Sequence, residues 1–299
     1  MKRNVFWQKS VLVLGAVALT LPKLVGAEAT SDGYRGEFTA GAGLTAGSQL
    51  RVGDTKLGGL RSFNYDAGYT ATTPLNEFLS LRLGLGWHRY DFDRPAAAPV
   101  PSQLQSVALR VGLSWQIAEK WKISGDLAPG IYSDFKDINW SDFNMPFGLR
   151  ANFNQSPEVH WMFGFMVNVR SEYPVLPAVG VRWKLDDSWT LNLMVPKPGI
   201  EYKVNDALTL LAGGDFKGGA FRVAQDFGDR NGHRELNNQM LSYREIRAGV
   251  GLRYQMCKDW SVVADGGWMF DRRFRFKERY FSLRAPNAPY VQLGIQASY

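Results

Sequence analysis

The sequence predicts an all-β fold: a transmembrane antiparallel up-and-down β-barrel of about 14 strands, an even number as bacterial barrels require. Three observations predict it. Several stretches alternate apolar and polar residues over roughly the ~9–11 positions that a tilted membrane strand needs. Four segments repeat one hairpin spacing with Trp or Tyr beside the turn. The chain ends on a strand, Pro289 to Tyr299, with Val291, Leu293, Ile295, Ala297 and Tyr299 on one face and Gln292, Gly294, Gln296 and Ser298 on the other.

The N-terminus comes first. Lys2, Arg3 and Lys9 form a positive head, Val11 to Leu21 is an apolar run too short to span a bilayer, and Gly26, Ala27 and Ala29 follow. This is the pattern of a secretory signal peptide, residues 1–29, cut after Ala27 or Ala29. Residues 30–299 then form one barrel, because no Pro/Ser-rich linker or shift of composition divides them and all-β domains of this length are often single. The formal net charge is +7, but residues 1–27 hold four of the 35 bases and none of the 28 acids, leaving +3 for the remainder. Nucleic acid is therefore not an expected partner. Cys257, the only cysteine, leaves no internal disulfide and reads as an incidental turn residue.

The strands follow in order. Leu79, Leu81, Leu83, Leu85 and Trp87 oppose Ser80, Arg82, Gly84, Gly86 and His88. Val107 to Trp115 and Trp161 to Val169 alternate in the same way, as does Ile246 to Tyr254. In four places an aromatic residue is followed by apolar residues at the second, sixth and eighth positions, around three turn residues. These hairpins begin at Trp115, Trp183, Tyr202 and Tyr254 and return through Trp121, Trp189, Leu208 and Trp260. The even spacing keeps the apolar residues on one face across the turn. Trp and Tyr favour a lipid interface, where the ring is apolar and its N–H or O–H still meets water. Trp115, Trp121, Trp183, Trp189, Tyr254 and Trp260 are accordingly expected to form a girdle beside short turns.

Long connections are expected near Gly47–Gly58, Arg94–Pro101, Ser133–Asp142, Gly218–Ser242 and Arg272–Pro289, all at the other end. Between Trp189 and Asn205 there is room for only two short strands around Pro196-Lys197-Pro198-Gly199. Proline donates nothing to a ladder, so either the wall is low there, with a side opening toward lipid, or the count falls to 12.

The terminal strand resembles the closing strand of bacterial outer-membrane β-barrels, with Tyr299 in the place of the usual terminal phenylalanine as assembly signal. The resemblance implies location in the bacterial outer membrane, contact with its lipid and lipopolysaccharide, and insertion by the barrel assembly machinery. Val195 to Val223, VPKPGIEYKVNDALTLLAGGDFKGGAFRV, resembles the most distinctive part of an uncharacterised family of exported bacterial β-barrel proteins with no assigned activity.

The strand phase turns Arg82, Arg110, Arg150, Arg170, Arg182, Arg247 and Arg253 inward, with Glu37, Asp66 and Asp126 among the carboxylates. Inward Gly68, Gly84, Gly112 and others either widen a pore or let long arginines fold over them. Two readings of this lumen stand side by side: a passive channel for small polar or anionic solutes, since basic rings lower the barrier to anions, and a packed barrel that binds lipopolysaccharide or protein through its external loops. The basic, aromatic stretch Asp271 to Arg284 suits lipopolysaccharide phosphates or an anionic solute as a partner, but it reads more simply as a strand that extends past the membrane with a solvated face. A rim-located lipid-active enzyme is the third reading, through His88 with Asp91 and Asp93, or His233 with Asp226 and Asp229. No G-x-S-x-G nucleophile accompanies them, so no enzyme is expected. No catalytic residue, cofactor or metal site is assigned; Asp226, Asp229 and Asn231 do not have calcium-loop spacing.

Overall fold

A computed structural model describes residues 33–96 and 98–299. The expected signal peptide lies outside the described residues. Strands β1 (Arg35–Val52), β2 (Thr55–Pro74), β3 (Leu79–Asp93) and β4 (Gln103–Ala118) open a meander. It continues through β5 (Trp121–Leu127), β6 (Gly130–Ser133), β7 (Phe143–Asn144), β8 (Phe147–Asn154), β9 (Val159–Val167) and β10 (Val175–Lys184). The short β11 (Trp189–Asn192) and β12 (Gly199–Lys203) come next. Then follow β13 (Leu208–Arg222), β14 (Met240–Gln255), β15 (Trp260–Phe276), β16 (Phe281–Arg284) and β17 (Ala288–Ser298).

Three wall strands are broken where proline removes a donor: β5/β6 at Pro129, β7/β8 at Pro146 and β16/β17 at Pro286. The segments therefore build a closed wall of 14 antiparallel strands. It closes where β1 meets β17, from Glu37 opposite Ser298 to Thr45 opposite Tyr290. Tyr299 extends this seam, exchanging backbone hydrogen bonds with Gly36 at 2.7 and 3.0 Å.

Short turns gather at one end and longer connections at the other, as expected. Two expected loops are instead strand. Residues 47–58 continue β1 and β2 to a tight turn, and Arg273–Phe276 pairs with β16 as the strand extension read for Asp271–Arg284. The reason is a change of environment along the strand. Near the turns the outward residues are apolar, as Val262 and Trp268 show on β15. Near the loops the pattern inverts: Phe274 and Phe276 point in and are fully buried, while Arg273 and Arg275 point out. A β-bulge performs the switch, since Arg247 pairs with Met269 and Ile246 with Asp271, leaving Phe270 as the extra residue. A second irregularity in β1, between Thr45 and Ser48, turns Leu50 inward in the same way.

These inward residues build an apolar plug in the loop end. Leu50, Leu60, Phe92, Leu104 and Phe274 from the wall pack with Val223, Phe227 and Leu236 from the β13–β14 connection and with Val100 from the β3–β4 connection. Its centre is aromatic: Phe92 meets Phe274 at 5.0 Å and Tyr243 at 5.2 Å, edge to face. The plug is bounded by a smaller ring, because Ser133 at the end of β6 pairs in parallel with Arg222 at the end of β13. Strands β8 to β12 stop below that bridge.

Phe274→Ala should cost about 3–5 kcal/mol, the usual range for emptying an aromatic site in a core. Urea unfolding in detergent checks this. A loss below about 1 kcal/mol would mean that the plug adds little to stability.

Candidate functional site

Below the plug the wall faces a polar lumen. Near the turn end Arg82 and Arg150 converge on Asp126, at 3.2 and 2.6 Å. Arg182 and Arg253 approach Glu201 at 3.9 and 3.5 Å. All six side chains remain partly exposed, so water reaches this layer. Glu37 stands exposed at the turn end.

At mid-height lies a cavity of about 510 Å³, into which Asp66, His88, Arg110, Asp215, Lys217 and Lys197 project. Arg110 lies across two inward glycines: a Cβ on Gly86 would sit 2.9 Å from its Nε, and one on Gly68 would sit 3.3 Å from Nη1. Lys217 is 3.6 Å from Asp215. A second recess, about 260 Å³, continues beside Glu201, Arg253 and Asp265.

The ceiling of this space is ionic and dry. Arg247 Nε donates to Glu245 at 2.6 Å, and Tyr243 donates its hydroxyl to the same carboxylate. Arg272 Nε lies 3.2 Å from Glu245, and both side chains are fully buried. Arg247 also donates to Thr45 at 3.2 Å and covers the Tyr290 ring. Among the described residues, Nη1 and Nη2 of Arg272 have no hydrogen-bond partner.

The wall has a side opening. β10 pairs with β11 from Arg182 to Lys184, with one further bond from the Leu193 N–H to the Val181 carbonyl at 2.8 Å, and β12 with β13 from Lys203–Thr209 to Gly199–Gly213. Backbone bonds from Gly214 to Pro198 at 2.8 Å and from Phe216 to Pro196 at 3.0 Å extend the second ladder slightly. Above them, among the described residues, the facing edges Val175–Gly180 of β10 and Lys217–Phe221 of β13 have no strand partner. The mid-lumen cavity reaches this gap, since Pro196, Lys197 and the outward, 44%-exposed Phe216 line it. On the opposite side the inward-phase Met166 and Leu176 are 58% and 45% exposed. The opening thus has an apolar rim and a charged interior.

The β9–β10 connection, residues 168–174, reaches past the opening to the outside of β14 and β15. Glu172 accepts from Arg275, and its N–H donates to Ser242 Oγ at 2.9 Å. Asn144 ties the same connection to β7 through Asn168 at 3.1 Å. In the neighbouring β6–β7 connection, burial pushes the Asp134 carboxyl up from its ordinary value, against the N–H donors of Ala224 and Lys136.

Most expected lumen residues are where the strand phase puts them, with two corrections. Arg170 is not in the lumen, because β9 ends at Val167; its guanidinium donates to the Ser141 carbonyl in a loop. Arg247 is inward but sealed beneath the plug and lines no passage. The histidine sites also separate. His88 faces the cavity opposite Asp66, whereas Asp91 points outward and pairs with Arg89 at 2.8 Å. His233 bonds Glu235 at 3.0 Å, while Asp226 pairs with Arg230. The aromatic residues of the hairpins face outward at the turn end, Trp260 half-buried against Phe38. Sequence reasoning missed the Glu172 latch and the isolation of Glu245 with Arg247 and Arg272. The strand phase that turned Arg247 inward, and the basic run Asp271–Arg284, were the signals near them, and neither shows the enclosure.

A family described as a domain of unknown function, DUF6268, matches residues 75–297. The chain belongs to this family. No curated protein matches it. Among solved structures, a mutant of the TodX monoaromatic hydrocarbon channel is 10% identical over 90% of each chain, with a TM-score of 0.52. A FadL homologue from Pseudomonas aeruginosa is 12% identical over 89% of this chain and 90% of its own, TM-score 0.46. An outer membrane channel from Pseudomonas putida F1 is 9% identical over 92% and 98%, TM-score 0.45. At these identities the likeness is one of fold, and it places this member of DUF6268 among barrels of the outer-membrane type.

Glu245→Gln removes the charge that Arg247 and Arg272 share, and should cost about 3–5 kcal/mol because two buried cations lose their counter-ion. Glu201→Gln, in the wet layer, should cost under about 1 kcal/mol. Thermal unfolding in detergent compares them; equal losses would mean that water reaches the Glu245 cluster.

Proposed function

We propose that this protein is an outer-membrane channel for small amphipathic solutes, molecules with an apolar body and a polar or anionic head, and that they pass through the side of the wall. One observation carries the reading: the unpaired edges of β10 and β13 open onto the mid-lumen cavity, while the axial route at the loop end is filled by the plug. The chemistry of the opening suits such a solute. Met166, Leu176 and Phe216 offer apolar contact at the rim, and inside, beside the Lys217–Asp215 pair, Arg110 and Lys197 offer charge for a negative head. From there the wet layer around Asp126 and Glu201 leads toward the short-turn end, which faces the periplasm in this orientation.

The paired arginines weaken the alternative in which basic rings select anions along the axis. The plug favours a second reading, a closed barrel whose loops bind surface partners, and one experiment separates the two. With Cys257 replaced by serine, Phe216→Cys is coupled to a bulky maleimide in vesicles, and uptake of octanoate is followed. Labelling residue 216 should slow uptake several-fold. The same label on Val250→Cys, an exposed outward position on β14, should leave it unchanged. No uptake by the correctly folded unlabelled protein would support the closed barrel, and equal slowing at both positions would remove the side route.

A further inference from the structure

At the loop end the inverted strands carry a row of cations on their outer face. Arg244 lies opposite Arg273, Arg273 opposite Arg284, and Arg284 opposite Arg51, so four arginines stand in register across β14, β15, β16 and β1. Arg51 is in turn opposite Lys56 of β2. Like charges directly across a ladder repel. Asp271 answers only part of this, at 2.8 Å from Arg244 and 3.8 Å from Arg273. Among the described residues Arg51 and Arg284, both exposed, have no ion-pair partner, and the Nε of Arg244 and of Arg273 have no hydrogen-bond acceptor.

The row is concave. Arg51, Arg273, Arg275, Arg284 and the exposed Tyr280 line a hollow of about 460 Å³, with Asp54 as its one carboxylate against four guanidiniums. Below it the same outer face becomes apolar, with Phe270 and Trp268 on β15 and Val291 and Leu293 on β17 all exposed. At the strand rise, Phe270 stands about 10 Å below Arg273. A soluble polyanion would use the cations and leave that stripe bare. A lipid with a phosphorylated head uses both, its phosphates taken by guanidinium forks and its acyl chains laid on the stripe.

We infer that this face is a binding site for the phosphorylated glycolipid of the outer leaflet, the lipid A part of lipopolysaccharide, with Arg51 and Arg284 holding phosphate. The inference rests on the barrel standing in an outer membrane, as proposed above, and does not depend on any solute passing through it. Protein in detergent is mixed with bis-phosphorylated lipid A, and the retained lipid is read by native mass spectrometry. Arg51→Ser with Arg284→Ser should weaken retention about tenfold, as expected when two charge-assisted contacts are lost. Wild type offered lipid A stripped of its phosphates should lose as much. The variant's heat-modifiable gel mobility and its octanoate uptake in vesicles lacking lipid A should match wild type, which separates a failure here from a failure of the channel reading. Undiminished retention by the double variant, equal retention of the dephosphorylated lipid, or displacement of lipid A by equimolar inorganic phosphate would each overturn the inference.

Discussion

Burial of apolar surface acts in opposite directions at the two ends of the same strands, and the architecture follows from that conflict. Toward the turns the apolar side chains of β15 face outward, as a strand in lipid requires; toward the loops Phe274 and Phe276 face inward, as in a water-soluble barrel. β3 meets both demands in one phase, from His88 in the lumen to Phe92 in the plug. On β15 and β1, however, the apolar positions keep one parity along the sequence and would face outward throughout an uninterrupted strand. The extra residue at Phe270 and the irregularity after Thr45 supply the phase change. The layer where the phase turns over is the layer where Glu245, Arg247 and Arg272 are enclosed, beneath the plug and above the wet lumen.

The inversion also accounts for the unequal wall. Only strands that reach the loop end contribute to the plug, and these close upon themselves through Ser133 and Arg222. Strands β8 to β12 contribute nothing to it and end lower. Pro196 and Pro198 set the height of β11 and β12, leaving the edges of β10 and β13 apart. Open strand edges are not tolerated in hydrocarbon, where each unpaired backbone group costs several kcal/mol. They persist where they border a water-holding lumen and where other chain covers them. Here the charged cavity borders them from inside, and the connection fastened by Glu172 to Ser242 and Arg275 passes outside.

The barrel was legible in the sequence because its evidence is periodic. The hairpins at Trp115, Trp183, Tyr202 and Tyr254 keep a single spacing, and Pro196-Lys197-Pro198-Gly199 announced the low wall. The extension at 47–58 was not legible as strand, because a charged outward face resembles a solvated loop. Over Asp271–Arg284 the loop stood beside a strand extending past the membrane with a solvated face, and the structure has the strand over Arg273–Phe276. The site was legible in its residue types and in the facing of most of them. Pairing was not, since strand phase says which way a side chain faces and not its register against the next strand. Arg82, Asp126 and Arg150 stand on β3, β5 and β8, along the same run of the meander, and the ladder registers bring both arginines to Asp126.

That pairing bears on how a charged lumen should be understood. An inward arginine repels cations from a passage only if its charge is free. Arg82 and Arg150 share one carboxylate, Arg182 and Arg253 share another, and Arg247 with Arg272 share a third that water does not reach. Arg110 differs. Its guanidinium rests on Gly86 and Gly68, so the glycines give it room to lie flat against the wall, and the surface it presents to the cavity remains open. The cation excess read from the sequence therefore does not persist as an axial ring. At mid-height Arg110, Lys197 and Lys217 share the cavity with Asp66, Asp215 and Asp265, and Lys217 lies 3.6 Å from Asp215. That leaves Arg110 and Lys197 as its cations without an ion-pair partner among the described residues, at the inner mouth of the side opening.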